Sequence, residues 1–192
     1  MDSADKMIVR LTKLGFFKFT RPSELNRAIA LLRKNYIKHQ ILDTNHLVAD
    51  MWVPYDRRIY MADAEDLAEG SVCSMIEEMR IVLKREGVHL HSLRNDLDED
   101  GDSYRVFING ESYEIYDENR AEYSSWCWAH RRTLEILNDL LAAAGSKERA
   151  YALSAGNQAM VALLTQKLYQ YLLTLPFDEY SIPRKPEEME CE

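Results

Sequence analysis

Apolar residues recur along this chain with two different spacings, and the helical spacing of three to four residues accounts for most of them. Five segments with that spacing predict helices over residues 4–14, 24–35, 71–86, 120–144 and 166–173. Helix-ending glycines follow three of these segments, at Gly15, Gly87 and Gly145. A further acidic helical turn is predicted over residues 63–69, where Gly70 breaks it.

Alternation of apolar and polar residues, the second spacing, marks the strands. It predicts short strands over residues 57–61, 88–93, 104–108, 111–116, 151–154 and 159–164. Asn109-Gly110 separates two of these runs and favours a two-residue hairpin, because both turn positions need positive φ. Gly156-Asn157 marks a second candidate hairpin. The stretch 37–56 has no clear period, apart from an extended segment at 51–54.

The order of these elements predicts the fold class. Helices come first, followed by strand–helix–strand, a hairpin, a long helix, a second hairpin and a terminal helix. This order is typical of an α+β fold with a mainly antiparallel or mixed sheet, helices packed on one face, and a helical amino-terminal segment. We expect a single domain over residues 1–182, of which 1–50 form a mostly helical lead-in. Residues 183–192 are polar and broken by proline, which predicts a flexible tail.

Charge divides unevenly along the chain. Residues 1–60 hold 11 Lys/Arg against 6 Asp/Glu, whereas residues 61–192 hold 13 against 26. Such an excess of acid repels phosphate backbones and anionic lipid and attracts cationic surfaces. We therefore expect a basic protein partner and neither a nucleic-acid nor a membrane partner. No window reaches the ~18 apolar residues that a membrane-spanning helix requires, and the amino terminus lacks the pattern of a secretory signal.

The cysteines suggest a cellular compartment. Cys73, Cys127 and Cys191 are odd in number, lie far apart and include no CxxC pair. This usage is typical of reduced thiols in a cytoplasmic protein. We expect a cytoplasmic location, with Cys127 as a buried, inert thiol in the long helix.

Two patterns resemble parts of metal sites, and neither is complete. Residues 96–101 read D-x-D-x-D-G, the first half of a calcium loop, but Phe107 stands where a bidentate Glu would close the site. His89 and His91 fall on one face of a predicted strand, as zinc ligands do, without a third ligand nearby in the sequence. We therefore expect no cofactor. A metal-assisted hydrolase with a non-local carboxylate and histidine site stays open as the alternative function.

Two dense groups of acids are the candidate partner-binding residues. They are Asp63, Glu65, Asp66, Glu69, Asp96, Asp98, Asp100 and Asp102. Acids in the first turn of a helix also complement its dipole, so local structure alone explains several of the first group. Trp126 and Trp128 add aromatic area, and residues two apart on a helix diverge by about 200°. One of the pair is therefore exposed or at an interface, unless the helix has a second buried face.

In size, charge, fold class and the stretches YDRRIYMADAEDLAEG and ERAYALSAGNQAMVALLT, the chain resembles the immunity proteins of bacterial toxin systems. The resemblance implies a stoichiometric inhibitor that covers a cationic toxin domain. Such an inhibitor needs a shaped surface and no active site of its own. Complementary charge would speed its encounter with the toxin, to as much as about 10⁸–10⁹ M⁻¹s⁻¹ at low salt.

Overall fold

The computed structural model of the protein describes residues 3–48, 51–117, 125–153 and 159–191. Its α-helices are α1 Ser3–Lys13, α2 Leu25–His39, α3 Ala64–Asp66, α4 Val72–Glu78, α5 Arg80–Arg85, α6 Ser125–Ala143 and α7 Gln166–Leu172. Its strands are β1 Asn45–Val48, β2 Met51–Pro54, β3 Ile59–Met61, β4 Leu93–Leu97, β5 Ser103–Ile108, β6 Glu111–Asp117, β7 Glu148–Leu153 and β8 Met160–Thr165. A π-helical turn, Leu67–Ser71, joins α3 to α4, and 3-10 turns lie at Phe16–Phe19, Glu179–Ser181 and Pro186–Glu188.

The strands form three sheets. β1 pairs with β2, while β3, β8 and β7 form a central sheet in that order, and β4, β5 and β6 form a side sheet. Every strand pair in the described part of the chain is antiparallel. The predicted α+β class, with antiparallel pairing and a helical amino-terminal segment, is confirmed.

Helices cover the central sheet on both faces. Val161 and Leu163 of β8 belong to a core cluster shared with α4, α6 and the side sheet. Ala162 and Leu164 belong to a second cluster with α1, α2 and α7. A strand that is apolar at four consecutive positions can be buried on both sides, which explains why this sheet departs from the expected one-sided packing. The side sheet buries one face, through Tyr104, Val106 and Ile108 of β5.

The Asn-Gly hairpin is confirmed between β5 and β6. Asn109 has φ 56° and Gly110 has φ 89°, as the turn requires. The neighbouring prediction of a strand over 88–93 is wrong, since pairing begins only at Leu93. The backbone just before it is bound by side chains instead: Asn109 Oδ1 accepts from the His91 amide at 2.6 Å, and Asn109 Nδ2 donates to the His89 carbonyl at 2.8 Å.

The carboxyl-terminal segment packs against the body, so the prediction of a flexible polar tail over 183–192 is wrong for its described residues. Arg184 and Ala152 exchange two backbone hydrogen bonds of 2.9 Å each, and Pro186 is buried at the start of a 3-10 turn. A disulfide joins Cys127 to Cys191 with a Cα–Cα distance of 5.4 Å. The prediction of three reduced thiols is therefore also wrong. Only the chain's return to α6 brings these two residues together, 64 positions apart in the sequence.

Several predictions fall outside the described residues. The first residues of the predicted helix 120–144 and the candidate turn Gly156-Asn157 lie there. Within the described residues, the predicted helix over 71–86 is divided at Met79 into α4 and α5. Thr165 caps α7 as its position predicts, by accepting a hydrogen bond from the Leu168 amide at 3.3 Å.

Candidate protein-binding surface

Folding brings the two acidic stretches side by side. The π-helical turn Leu67–Ser71 packs against β4, which leads into the second stretch. At the contact, a methyl group added to Gly70 would lie 3.6 Å from Leu97 Cδ2. The end of one acidic stretch therefore lies beside the start of the other, and we call residues 63–69 and 96–102 together the acidic surface.

A partly buried set of hydrogen bonds holds the junction of the two stretches. Asn95 Oδ1 accepts from the Tyr104 hydroxyl at 2.7 Å and from the Cys73 amide at 3.3 Å. The Tyr104 hydroxyl oxygen accepts from the Val72 amide at 3.3 Å, and the Tyr116 hydroxyl donates to the Ala68 carbonyl at 2.9 Å. The start of α4 and the turn before it are thereby tied to the side sheet.

Most of the candidate acids face solvent. Asp63 and Glu65 are half-buried, and the other six are exposed: Asp66, Glu69, Asp96, Asp98, Asp100 and Asp102. Charge is thus concentrated on a surface whose backbone is firmly held.

Three of these acids also have structural roles. Asp63 caps α3, since its Oδ1 accepts from the amides of Glu65 at 3.0 Å and Asp66 at 3.4 Å. Asp98 Oδ1 accepts from the Asp102 amide at 2.8 Å, which closes the loop between β4 and β5. Asp96 pairs with Arg94 at 3.3 Å. The local explanation of part of the acid pattern is therefore correct, and Asp66, Glu69 and Asp100 are the stronger candidates for partner contacts.

The described residues contain no group of three or more His, Cys, Asp or Glu side chains that could hold a metal ion. His89 and His91 are exposed, with ring centroids 6.5 Å apart. They line a cavity of about 200 Å³ whose other charged walls are Arg80 and Lys84. No carboxylate, which a hydrolytic metal site of this kind needs, is among the residues that line this cavity.

The sequence patterns do not reveal a buried ionic network around Arg58. This side chain is fully buried, and its guanidinium donates to Glu148 Oε2 at 2.7 Å, to the Phe16 carbonyl at 2.7 Å and to the Gly15 carbonyl at 3.0 Å. It also donates to the Leu163 carbonyl. The guanidinium therefore joins the amino-terminal 3-10 turn to β7 and β8 of the central sheet.

Lys18 extends this network to the surface. Its Nζ lies 2.9 Å from Glu148 Oε1 and 2.8 Å from Glu86 Oε1. The Ser146 hydroxyl donates to Glu86 Oε2 at 2.7 Å. Burial acts to raise the pKa of Glu86, but the hydrogen bonds from Lys18 and Ser146 outweigh it and hold that pKa below its ordinary value.

Asp56 is a second buried carboxyl beside Arg58. Burial raises its pKa to about 6, against the opposing effects of the Arg58 charge and of the hydrogen bond that Thr20 donates to Oδ2. Carboxyls of this kind are found in active sites. Asp56 is fully buried, however, so a substrate cannot reach it in this conformation, and its effect falls on stability.

The two tryptophans of α6 differ in exposure. Trp126 is exposed, whereas Trp128 is half-buried against the core, which fits the expected divergence of the pair. No helix in the described ranges is long and apolar enough to cross a membrane. The chain matches no protein-family model, no curated protein and no solved structure.

Proposed function

We propose that the protein is a binding module whose acidic surface, residues 63–69 and 96–102, takes up a basic protein. The observation that carries the proposal is the contact between Leu67–Ser71 and β4, which joins two acid-rich stretches from different parts of the chain. Six of the eight carboxylates on these stretches are exposed. Such a concentration of like charge raises the free energy of the folded protein, and a cationic partner relieves that repulsion.

The framework under the acidic surface favours tight association. Asn95, Tyr104 and Tyr116 hold the backbone on both sides of the junction through the hydrogen bonds described above. A preformed surface loses less conformational entropy on binding than a mobile loop does. Affinity therefore comes from charge and shape that already exist before the partner arrives.

The finer proposal is an immunity-type inhibitor that covers a basic toxin domain in a 1:1 complex in the cytoplasm. It is supported by the resemblance in size, charge and fold class, and by an acidic surface that complements a nucleic-acid-cleaving or nucleic-acid-binding toxin. Inhibition by covering needs no reaction by the inhibitor. The metal-assisted hydrolase receives no such support, because no carboxylate is among the residues that line the cavity beside His89 and His91.

A capture experiment with matched variants tests the proposal. Wild-type protein, Glu69→Gln/Asp100→Asn and Asp139→Asn/Glu179→Gln are immobilised and exposed to lysate of the source cells. All four residues are exposed, both double variants remove two negative charges, and only the first pair lies on the acidic surface. We expect wild type and the Asp139/Glu179 variant to retain a basic protein in equal molar amount, and the Glu69/Asp100 variant to lose it. Equal retention by all three, or retention of no basic protein, would contradict the proposal.

A further inference from the structure

The carboxyl-terminal residues 183–191 cross the edge of the central sheet, and we refer to them as the strap. We infer that the Cys127–Cys191 disulfide is a redox-controlled latch, and that its reduction releases the strap from the edge of β7. The inference uses residues outside the acidic surface and does not depend on the proposed function.

The outer edge of β7 is closed from two directions. At Ala150, the Asn138 side chain of α6 accepts from the amide at 2.7 Å and donates to the carbonyl at 3.1 Å. At Ala152, the amide and carbonyl pair with the backbone of Arg184 in the strap. An unpaired strand edge is a template for another chain, so the strap protects the central sheet at this position.

The strap also has non-covalent contacts with the body. Beyond the hydrogen bonds at Arg184, the Tyr169 hydroxyl lies 3.5 Å from Glu188 Oε2. Pro183, Pro186 and Met189 supply apolar packing, and the turn Pro186–Glu188 lies against α6. Lys185 pairs with Glu187 and Glu188, at 3.6 and 3.8 Å, and these ion pairs lie within the strap itself. The covalent bond to α6 near the end of the strap is therefore its strongest attachment.

A cavity lies beneath the strap. It has a volume of about 290 Å³, and Lys185, Pro186 and Glu187 form one side of it. Arg149, Tyr151 and Gln166 of the body line the other side. Release of the strap removes one wall and exposes the Tyr151 ring, which is now stacked on Tyr169 with 4.5 Å between centroids.

The chemistry of release is thiol–disulfide exchange with a dithiol. A thiolate of the dithiol attacks Cys127 Sγ, which belongs to a half-buried residue, and the sulfur of the buried Cys191 leaves. The second thiol of the reagent then displaces Cys127, so both cysteines end as thiols and the dithiol ends as a disulfide. Two electrons and two protons pass to the protein. Cys73 does not compete, because it is buried and burial raises the pKa of its thiol to about 11.

Disulfides that form inside cells are in general transient and redox-sensing, whereas those of secreted proteins are structural. The Cys127–Cys191 disulfide joins the terminal strap to α6. Its opening changes one sheet edge and, at Tyr151, the border of the second core cluster.

Hydrogen exchange at single amides tests the latch. Exchange is measured on the oxidised protein, on the protein treated with dithiothreitol without denaturant, and on Cys191→Ser. We expect the Ala152 and Arg184 amides to exchange at least about tenfold faster in the reduced protein and in Cys191→Ser. The Leu163 amide, which donates to the Arg58 carbonyl at 2.8 Å inside the central sheet, should keep its rate. Cys73→Ala should respond to dithiothreitol as wild type does.

Each contrary result overturns the inference. Unchanged exchange at Ala152 and Arg184 would mean that non-covalent contacts suffice to hold the strap. Faster exchange at Leu163 as well would identify the disulfide as a staple of the whole fold. A disulfide that dithiothreitol reduces only in denaturant, or a Cys73→Ala variant that no longer responds, would exclude an accessible Cys127–Cys191 latch.

Discussion

Two buried titratable residues, Asp56 and His130, give the stability of this protein opposing dependences on pH. Burial raises the pKa of Asp56 to about 6, so the folded state binds this proton more tightly than the unfolded state does. Its contribution to stability is fully present below about pH 4 and is lost as pH rises through 6. Burial lowers the pKa of His130 to about 4, despite a hydrogen bond with the backbone of Met160. That contribution is present above about pH 6.5 and is lost as pH falls through 4.

Asp56→Asn should raise the free energy of unfolding at pH 7. The variant removes a carboxylate that is ionised and buried at this pH, and a pKa rise of about two units corresponds to about 3 kcal/mol. The gain over wild type should vanish near pH 4, where the carboxyl is protonated in both states. Urea unfolding at a series of pH values measures it. A loss of stability that grows as pH rises would show instead that the ionised carboxylate stabilises the fold through Arg58.

His130→Gln should make the free energy of unfolding less dependent on pH below about pH 6.5. Between pH 6.5 and 4, the free energy of unfolding of the wild type should fall by up to about 3 kcal/mol through this residue. The reason is that the unfolded state takes up a proton that the folded interior excludes. Glutamine cannot take up that proton. The exposed His91 offers a matched control, and His91→Gln should keep the wild-type profile in the same urea series. Parallel pH profiles for wild type and His130→Gln would contradict the assignment.

Among the elements, the network around Arg58 is what joins the amino-terminal 3-10 turn to the central sheet. Arg58 and Lys18 share the Glu148 carboxylate, yet Arg58 is fully buried and the Lys18 side chain is 40% exposed. Burial, rather than the number of ion pairs, therefore decides how much each residue contributes.

Arg58→Met should lower the free energy of unfolding by about 3–5 kcal/mol. The variant leaves the buried Glu148 carboxylate without its cation, and it leaves backbone carbonyls without their hydrogen-bond donor. Lys18→Met, which removes the half-exposed partner of the same carboxylate, should lower it by about 1 kcal/mol or less. Urea unfolding of both variants at pH 7 measures the difference. Similar losses in the two variants would mean that solvent reaches Glu148.

Elements made by neighbouring residues could be predicted from the sequence, and those made by distant partners could not. The β5–β6 hairpin depends on Asn109-Gly110 alone, and it forms as predicted. The alternation at 88–91 correctly separates buried Val88 and Leu90 from exposed His89 and His91. Those residues form no strand, because the Asn109 side chain occupies the backbone groups that a partner strand would use.

At the scale of the whole molecule, the candidate site was predictable only in part. The acid-rich stretches are visible in the sequence, but their junction depends on the packing of Leu67–Ser71 against β4. The pair of Arg58 and Glu148 joins residues 90 positions apart, and the disulfide joins residues 64 positions apart. The two arginines that open the predicted strand at 57–61 are a local signal of the ionic network, but they do not identify its partners.

The acidic surface unites these scales, since single residues, a helical turn and the side sheet all contribute to it. The most direct test is the dissociation constant of the captured basic protein, measured for wild type and for Glu69→Gln/Asp100→Asn at about 50 and about 200 mM salt. We predict that the wild-type dissociation constant rises with salt. At low salt, that of the variant should be about tenfold higher, the equivalent of about 1.4 kcal/mol. Equal dissociation constants for the two proteins, both insensitive to salt, would contradict the account.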